Sequence, residues 1–101
     1  MQYGLLDSEL QFLNEKIVQP LKLQKAKVYL FGSRATGKFK KFSDIDLLYV
    51  PNKNHPILLT VITQIILNLE ESDFPYKVDL VNNLELASSY RTNVDKDKIE
   101  L

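Results

Sequence analysis

Apolar residues near the start of the chain recur at helical spacing. Leu10, Leu13, Ile17 and Leu21 fall three or four apart and define the buried stripe of an amphipathic helix. Asp7 and Ser8 mark its start, and Ser8 with Gln11 three residues on has the form of a capping box. Pro20 is expected to end this helix or kink its last turn, with residues 22–27 as a polar connector. The period then changes. Val28, Tyr29, Leu30 and Phe31 form a short β-favouring run that predicts a strand, and Gly32 breaks it. Gly37 and a lysine-rich segment make residues 33–42 a loop, with at most one helical turn after Ser33. Strand character returns over 44–50 and stops at Pro51 and Asn52.

Pro56 suits the first position of a second helix, with Asn54 or His55 as its cap. Leu58, Ile62, Ile65, Ile66 and Leu69 give that helix a wide apolar face. Residues 70–75 read as a turn and 76–81 as a third strand. Val78 and Leu80 point to one side of that strand, and Lys77, Asp79 and Val81 to the other. Asn83 is expected to cap a last helix whose Ala87, Tyr90 and Val94 share a face. The charged residues 95–101 should fray or finish as a short extended tail. No internal repeat appears. The order α-β-β-α-β-α predicts an α+β fold, a small mixed sheet of about three strands flanked by helices, as a single domain over residues 1–101.

Composition narrows the function classes. Thirteen basic and thirteen acidic residues cancel, so no overall pull toward nucleic acid or an anionic membrane is expected. Hydrophobic residues at 45% and charged residues at 26% describe a folding chain rather than a disordered one. The absence of cysteine excludes disulfides and thiolate metal sites and fits a reducing cytoplasm. The first residues lack the basic and apolar regions of a signal peptide. The apolar run 57–69 is interrupted by Thr60, Thr63, Gln64 and Asn68, too short and too polar to span a bilayer. A soluble, cytoplasmic protein is expected.

The candidate chemistry centres on residues 27–50. Asp44 and Asp46, two apart on a strand, would share a face about 6–7 Å apart. Two bare carboxylates so placed repel, and a hard cation such as Mg²⁺ removes the conflict while keeping positions for water and phosphate. Asp79 is the third candidate, a charge amid apolar strand residues. If its strand lies beside the first, three carboxylates converge in a way that suits two-metal phosphoryl chemistry, with ions about 3.5–4 Å apart. Gly32 lets backbone approach an anion, and Ser33 can donate to phosphate oxygens. Arg34 suits a forked phosphate contact, an anchor for an acid or a structural ion pair. Lys38, Lys40 and Lys41 add local positive charge. Each part has a plain reading as well: a solvated strand edge, an ordinary turn, a solvated lysine loop, and in His55 an exposed cap. Their combination is what points to one chemistry.

Gly32-Ser33-Arg34-Ala35-Thr36-Gly37 followed by Ser43-Asp44-Ile45-Asp46-Leu47, with a later acid in Lys77-Val78-Asp79-Leu80-Val81, resembles the signature of the nucleotidyltransferase superfamily of DNA polymerase beta and kanamycin nucleotidyltransferase. In so short a chain it is similar above all to the minimal, MntA-type members. The resemblance covers essentially the whole chain and implies the polymerase-beta-like fold. It implies that Gly32, Ser33, Arg34 and Ser43 hold the triphosphate of ATP. Asp44, Asp46 and Asp79 would bind Mg²⁺, with Asp79 also helping to activate the attacking hydroxyl.

The implied reaction moves AMP from ATP to a hydroxyl acceptor with release of pyrophosphate. Larger relatives carry further domains that recognise the acceptor, so here a partner is expected to supply that surface. Minimal members resemble the antitoxin halves of two-protein modules. The implied partner is then a helical HEPN-type toxin, and the implied acceptor one of its tyrosines. Two alternatives stay open: a small-molecule, aminoglycoside-like acceptor with a helical subunit in trans, and a non-catalytic antitoxin that works by covering its toxin.

Overall fold

The computed structural model describes residues 1–101. Its first helical rod runs unbroken through α1 (Asp7–Leu13), a π-helical segment (Asn14–Val18) and α2 (Gln19–Leu23). The cap differs from expectation. The Leu6 N–H donates to Glu9 Oε1 at 2.8 Å, while Gln11 bonds forward to Glu15 and takes no part in capping. Nor does Pro20 end the helix. Ahead of it the Gln19 N–H reaches back to the Asn14 carbonyl, five residues rather than four. That wider turn places the proline in the first turn of α2, where a missing N–H costs little. Leu13, Ile17, Val18 and Leu21 are buried beneath this rod.

Four strands make the sheet: β1 (Lys27–Phe31), β2 (Ile45–Val50), β3 (Val78–Asn82) and β4 (Ile99–Glu100), in the order β3-β2-β1-β4. β1 is antiparallel to β2 and β4, and β2 is parallel to β3. The fourth strand is the charged tail. Ile99 lies opposite Leu30, and the Leu101 N–H reaches the Val28 carbonyl at 2.9 Å. Ile99 and Leu101 alternate with Glu100, so both apolar residues turn onto the core while the acid faces out. The sheet is therefore mixed, as expected, with one short edge strand more.

One sheet face carries Val28, Leu30, Ile45, Leu47 and Tyr49 into the core with the helical rod and Ile65 of α4 (Leu59–Glu70). α4 starts three residues after Pro56, because Asn52 and His55 pair in a turn that Asn52 Oδ1 tightens by accepting from the Asn54 N–H. Its buried face is also narrower than predicted: Ile65 is buried and Val61, Ile62 and Leu69 partly so, but Leu58 and Ile66 are exposed. β3 leads into a 3₁₀ turn (Asn83–Glu85) capped by Asn82, whose Oδ1 accepts from the Leu84 N–H. Asn83 instead accepts from Arg91 of α5 (Ser88–Asp97), tying that helix to the turn before it. On α5 only Val94 is buried, while Ala87 and Tyr90 are exposed. No helix is long and apolar enough to cross a membrane.

Candidate active site

The opposite sheet face carries the acids. Phe31 of β1, Asp46 of β2 and Asp79 of β3 are register neighbours, Phe31 across from Asp46 and Asp46 across from Asp79. The two aspartates meet because β2 and β3 are parallel and in register there, a pairing that starts where the Ile45 N–H donates to the Lys77 carbonyl at 2.9 Å. With Gly32, Thr36, Leu86 and a face of α5, they line a cleft of about 530 Å³, within the size range of small-molecule sites.

Asp46 is half-buried and its carboxyl is held above the usual aspartate range. Desolvation is the largest cause. The negative charges of Asp79 and Asp44 add to it, and Asp79 also offers an acceptor for the Asp46 proton. Lys77 acts in the opposite direction, but its ammonium is exposed and stands 3.6 Å from Asp79. The protein itself therefore leaves this negative pair largely uncompensated.

Gly32 ends β1 at φ +75° and ψ −157°, a conformation nearly confined to glycine. A Cβ at this position would collide with the Asp46 carboxylate. The glycine thus does two things, turning the chain and leaving room for the acid. The Gly32 carbonyl accepts from the Ala35 and Thr36 N–H groups, closing the single helical turn α3 (Ser33–Thr36) expected after the strand. Ser33 begins that turn beside the cleft.

Asp44 is not on the strand. β2 begins at Ile45, and Asp44 sits exposed in the approach to it. The reason lies one residue earlier, where the Ser43 carbonyl accepts from Arg34 Nε at 3.1 Å and Nη2 at 2.9 Å, so it is not free to extend the ladder. Asp44 acts on Asp46 through charge, and the three acids do not close into a ready-made metal cluster. The close pair is Asp46 and Asp79, across two strands, rather than Asp44 and Asp46 along one.

Arg34 is placed differently from the expectation that it reaches phosphate. Its side chain is 1% exposed. The guanidinium donates to the carbonyls of Ser43, Lys41 and Tyr3, and lies over the rings of Tyr76 and Phe39 at 4.6 and 5.2 Å. It clamps the 37–44 loop and the N-terminal segment. It makes no ion pair, because backbone carbonyls take up its donors. Ser43 is likewise used within the loop, its Oγ accepting from the Lys40 N–H at 2.7 Å. Lys38, Lys40 and Lys41 are exposed on that loop, and His55 lies in the turn before α4, outside the cleft.

Whether these residues fit a metal can be judged from the donors. An all-oxygen pair of adjacent carboxylates, with one weakly held lysine nearby, suits a hard divalent cation and no thiophilic one. Sequence reasoning missed the α5 wall of the cleft, formed by Tyr90, Asn93, Val94 and Asp97. The sequence does show Tyr90 and Val94 on one helical face, and the same spacing adds Asn93 and Asp97, but nothing local says that this face turns toward the acids.

Residues 15–101 match the family model described as Polymerase beta, Nucleotidyltransferase. The chain belongs to this family. A Haemophilus influenzae protein described as "Probable protein adenylyltransferase MntA" is 33% identical to it over 69 residues, 68% of this chain. The chain spans 59% of that relative's length. Among solved structures, a toxin–antitoxin crystal structure with AMP-PNP is similar in fold, with a TM-score of 0.62 at 23% identity over 86% of this chain and 70% of the other. The shared fold agrees with the mixed sheet and flanking helices of this chain.

Proposed function

We propose that this protein transfers AMP from ATP to a hydroxyl group, with release of pyrophosphate, and that the acceptor is a tyrosine of a helical HEPN-type toxin that it restrains. The observation that carries the reading is the register pair Asp46–Asp79, set beside Gly32 in one cleft. The identity to an adenylyltransferase and the fold shared with a toxin–antitoxin structure support it.

In this reading Asp44, Asp46 and Asp79 would hold Mg²⁺, the register pair Asp46–Asp79 most closely. Bound there, the ion supplies the positive charge that these acids lack and that a triphosphate needs as its bond to the leaving group breaks. The chain's own part is positioning. Gly32 admits the triphosphate close to backbone, and the Ser33 N–H and hydroxyl donate to its oxygens. Arg34, by fixing Ser43, sets the approach of Asp44 to the cleft. Asp79 receives the proton of the acceptor hydroxyl, whose oxygen attacks the α-phosphorus. The bond to the bridging oxygen then breaks, and pyrophosphate leaves with the electron pair.

The test is incubation with α-labelled ATP, Mg²⁺ and the product of the adjacent gene. The expected result is label on one tyrosine of that product with wild-type protein and none with Asp46→Asn. An unlabelled product, with the two proteins behaving alike, sinks the proposal.

A further inference from the structure

From the α5 side of the cleft we infer that Tyr90, Asn93 and Asp97 select the nucleoside, with Asn93 reading a 6-aminopurine. This rests on the nucleotidyltransferase reading above, which assigns the carboxylates of the cleft and says nothing of how the base is held.

Two chemically different sets of residues line the cleft. One is Gly32, Asp46 and Asp79; the other is the α5 face of Tyr90, Asn93 and Asp97 around Val94, with Leu86 and Val81 supplying apolar surface. The remaining polar bonds of α5 point elsewhere: Arg91 donates to Asn83 and Leu86, and Asp95 pairs with Lys98 at 3.0 Å. Asn93 and Asp97 are left to the cleft. Asp97 is also an acid in the last turn of a helix, where the dipole disfavours negative charge. A polar ligand that donates hydrogen bonds gives it a use.

The groups match one kind of base. A primary amide accepts from the exocyclic amine of adenine through its oxygen and donates to N7 through its nitrogen, a pairing that guanine reverses at its 6-position. Tyr90 is a large ring, 65% exposed at the cleft wall, with a face free for base stacking, which tolerates any base. Asp97, an acceptor only, suits the ribose hydroxyls. The assignment thus gives specificity to Asn93 and general affinity to Tyr90.

The experiment is titration calorimetry in Mg²⁺ with non-hydrolysable ATP and GTP analogues and with inorganic tripolyphosphate. Wild-type protein should prefer the ATP analogue. Asn93→Leu should weaken the ATP analogue about tenfold and abolish the preference, with tripolyphosphate binding retained as proof of an intact site. Tyr90→Ala should weaken both analogues alike. If Asn93→Leu keeps the wild-type ratio of ATP to GTP affinity, or Tyr90→Ala changes neither, the α5 assignment is overturned while the nucleotidyltransferase reading stands. Wild-type protein that binds neither nucleotide nor tripolyphosphate overturns both.

Discussion

Gly32 and Asp46 occupy one space: the volume where a Cβ would stand on the first is filled by the carboxylate of the second. The glycine is held at a positive φ by the turn into α3, and the acid by its register with Asp79. Gly32→Ala should therefore fail twice. The backbone conformation alone costs about 1–3 kcal/mol, and the methyl group must push Asp46 out of line with Asp79. The expected outcome is a lower urea midpoint together with loss of Mg²⁺-dependent nucleotide binding. A variant that binds nucleotide as wild type does would show that Asp46 need not stay where it is.

The raised pKa of Asp46 gives a stability prediction of definite sign. Between the ordinary aspartate range and the folded-state value, the native protein binds more protons at this site than the unfolded chain. Its contribution is therefore fully present below the ordinary range and is lost as pH rises through the folded value. In the metal-free protein an ionised Asp46 is desolvated and faces the charges of Asp79 and Asp44, offset only in part by Lys77. Asp46→Asn should be inactive yet more stable than wild type at pH 7 in EDTA, with the difference shrinking at acid pH. Thermal melts of both proteins across that pH range check this. A variant less stable at pH 7 would mean that the carboxylate is already compensated in the native state.

Which parts of this arrangement could be read from sequence follows from how local their causes are. The strand runs 28–31 and 45–50 and the break at Gly32 have local causes, β-branched and aromatic residues ended by a glycine. The pairing of Asp46 with Asp79 needs strand order and register, which depend on the 32 residues between them, and it is expected only on condition that the strands are neighbours. Asp44 was misplaced because its position is set by Arg34, whose guanidinium takes the Ser43 carbonyl from nine residues away. An arginine in a glycine-serine turn gives no sign, in sequence, that it will be buried. Pro20 misled for a related reason, since a single π turn in the rod absorbs it. For the tail at 95–101 composition leaves fraying and an extended finish both open, and the alternation of Ile99, Glu100 and Leu101 is that of the strand it forms.

Arg34 offers the sharpest contrast between a structural and a phosphate-binding arginine. Truncation would leave the carbonyls of Ser43, Lys41 and Tyr3 without their donors and open a gap between the Tyr76 and Phe39 rings. Unmet buried polar groups cost about 1–3 kcal/mol each, and these bonds are part-buried, so with the packing of the buried side chain also lost Arg34→Ala should lose about 3–5 kcal/mol in urea unfolding. Arg34→Lys should lose most of that as well, since an ammonium cannot fork to the Ser43 carbonyl or lie flat between two rings. If Arg34 served chiefly as a phosphate ligand, Arg34→Lys would instead keep its stability and lose affinity for tripolyphosphate.

Metal addition should reverse the penalty at the acid pair. A ligand that binds only the folded protein, present at about ten times its Kd, adds about 1.4 kcal/mol by linkage. For a domain of about 100 residues each kcal/mol moves the melting midpoint by about 4–8 °C. Mg²⁺ added to EDTA-treated wild-type protein should therefore raise the midpoint by about 6–11 °C. Asp46→Asn and Asp79→Asn should each abolish most of the rise. Asp44→Asn, altering an exposed residue that acts on Asp46 through its charge, should reduce it by less. The order matters more than the size: an equal loss from all three would mean that Asp44 swings in to become a full ligand, whereas a rise untouched by Asp46→Asn would place the ion away from the β2–β3 pair altogether.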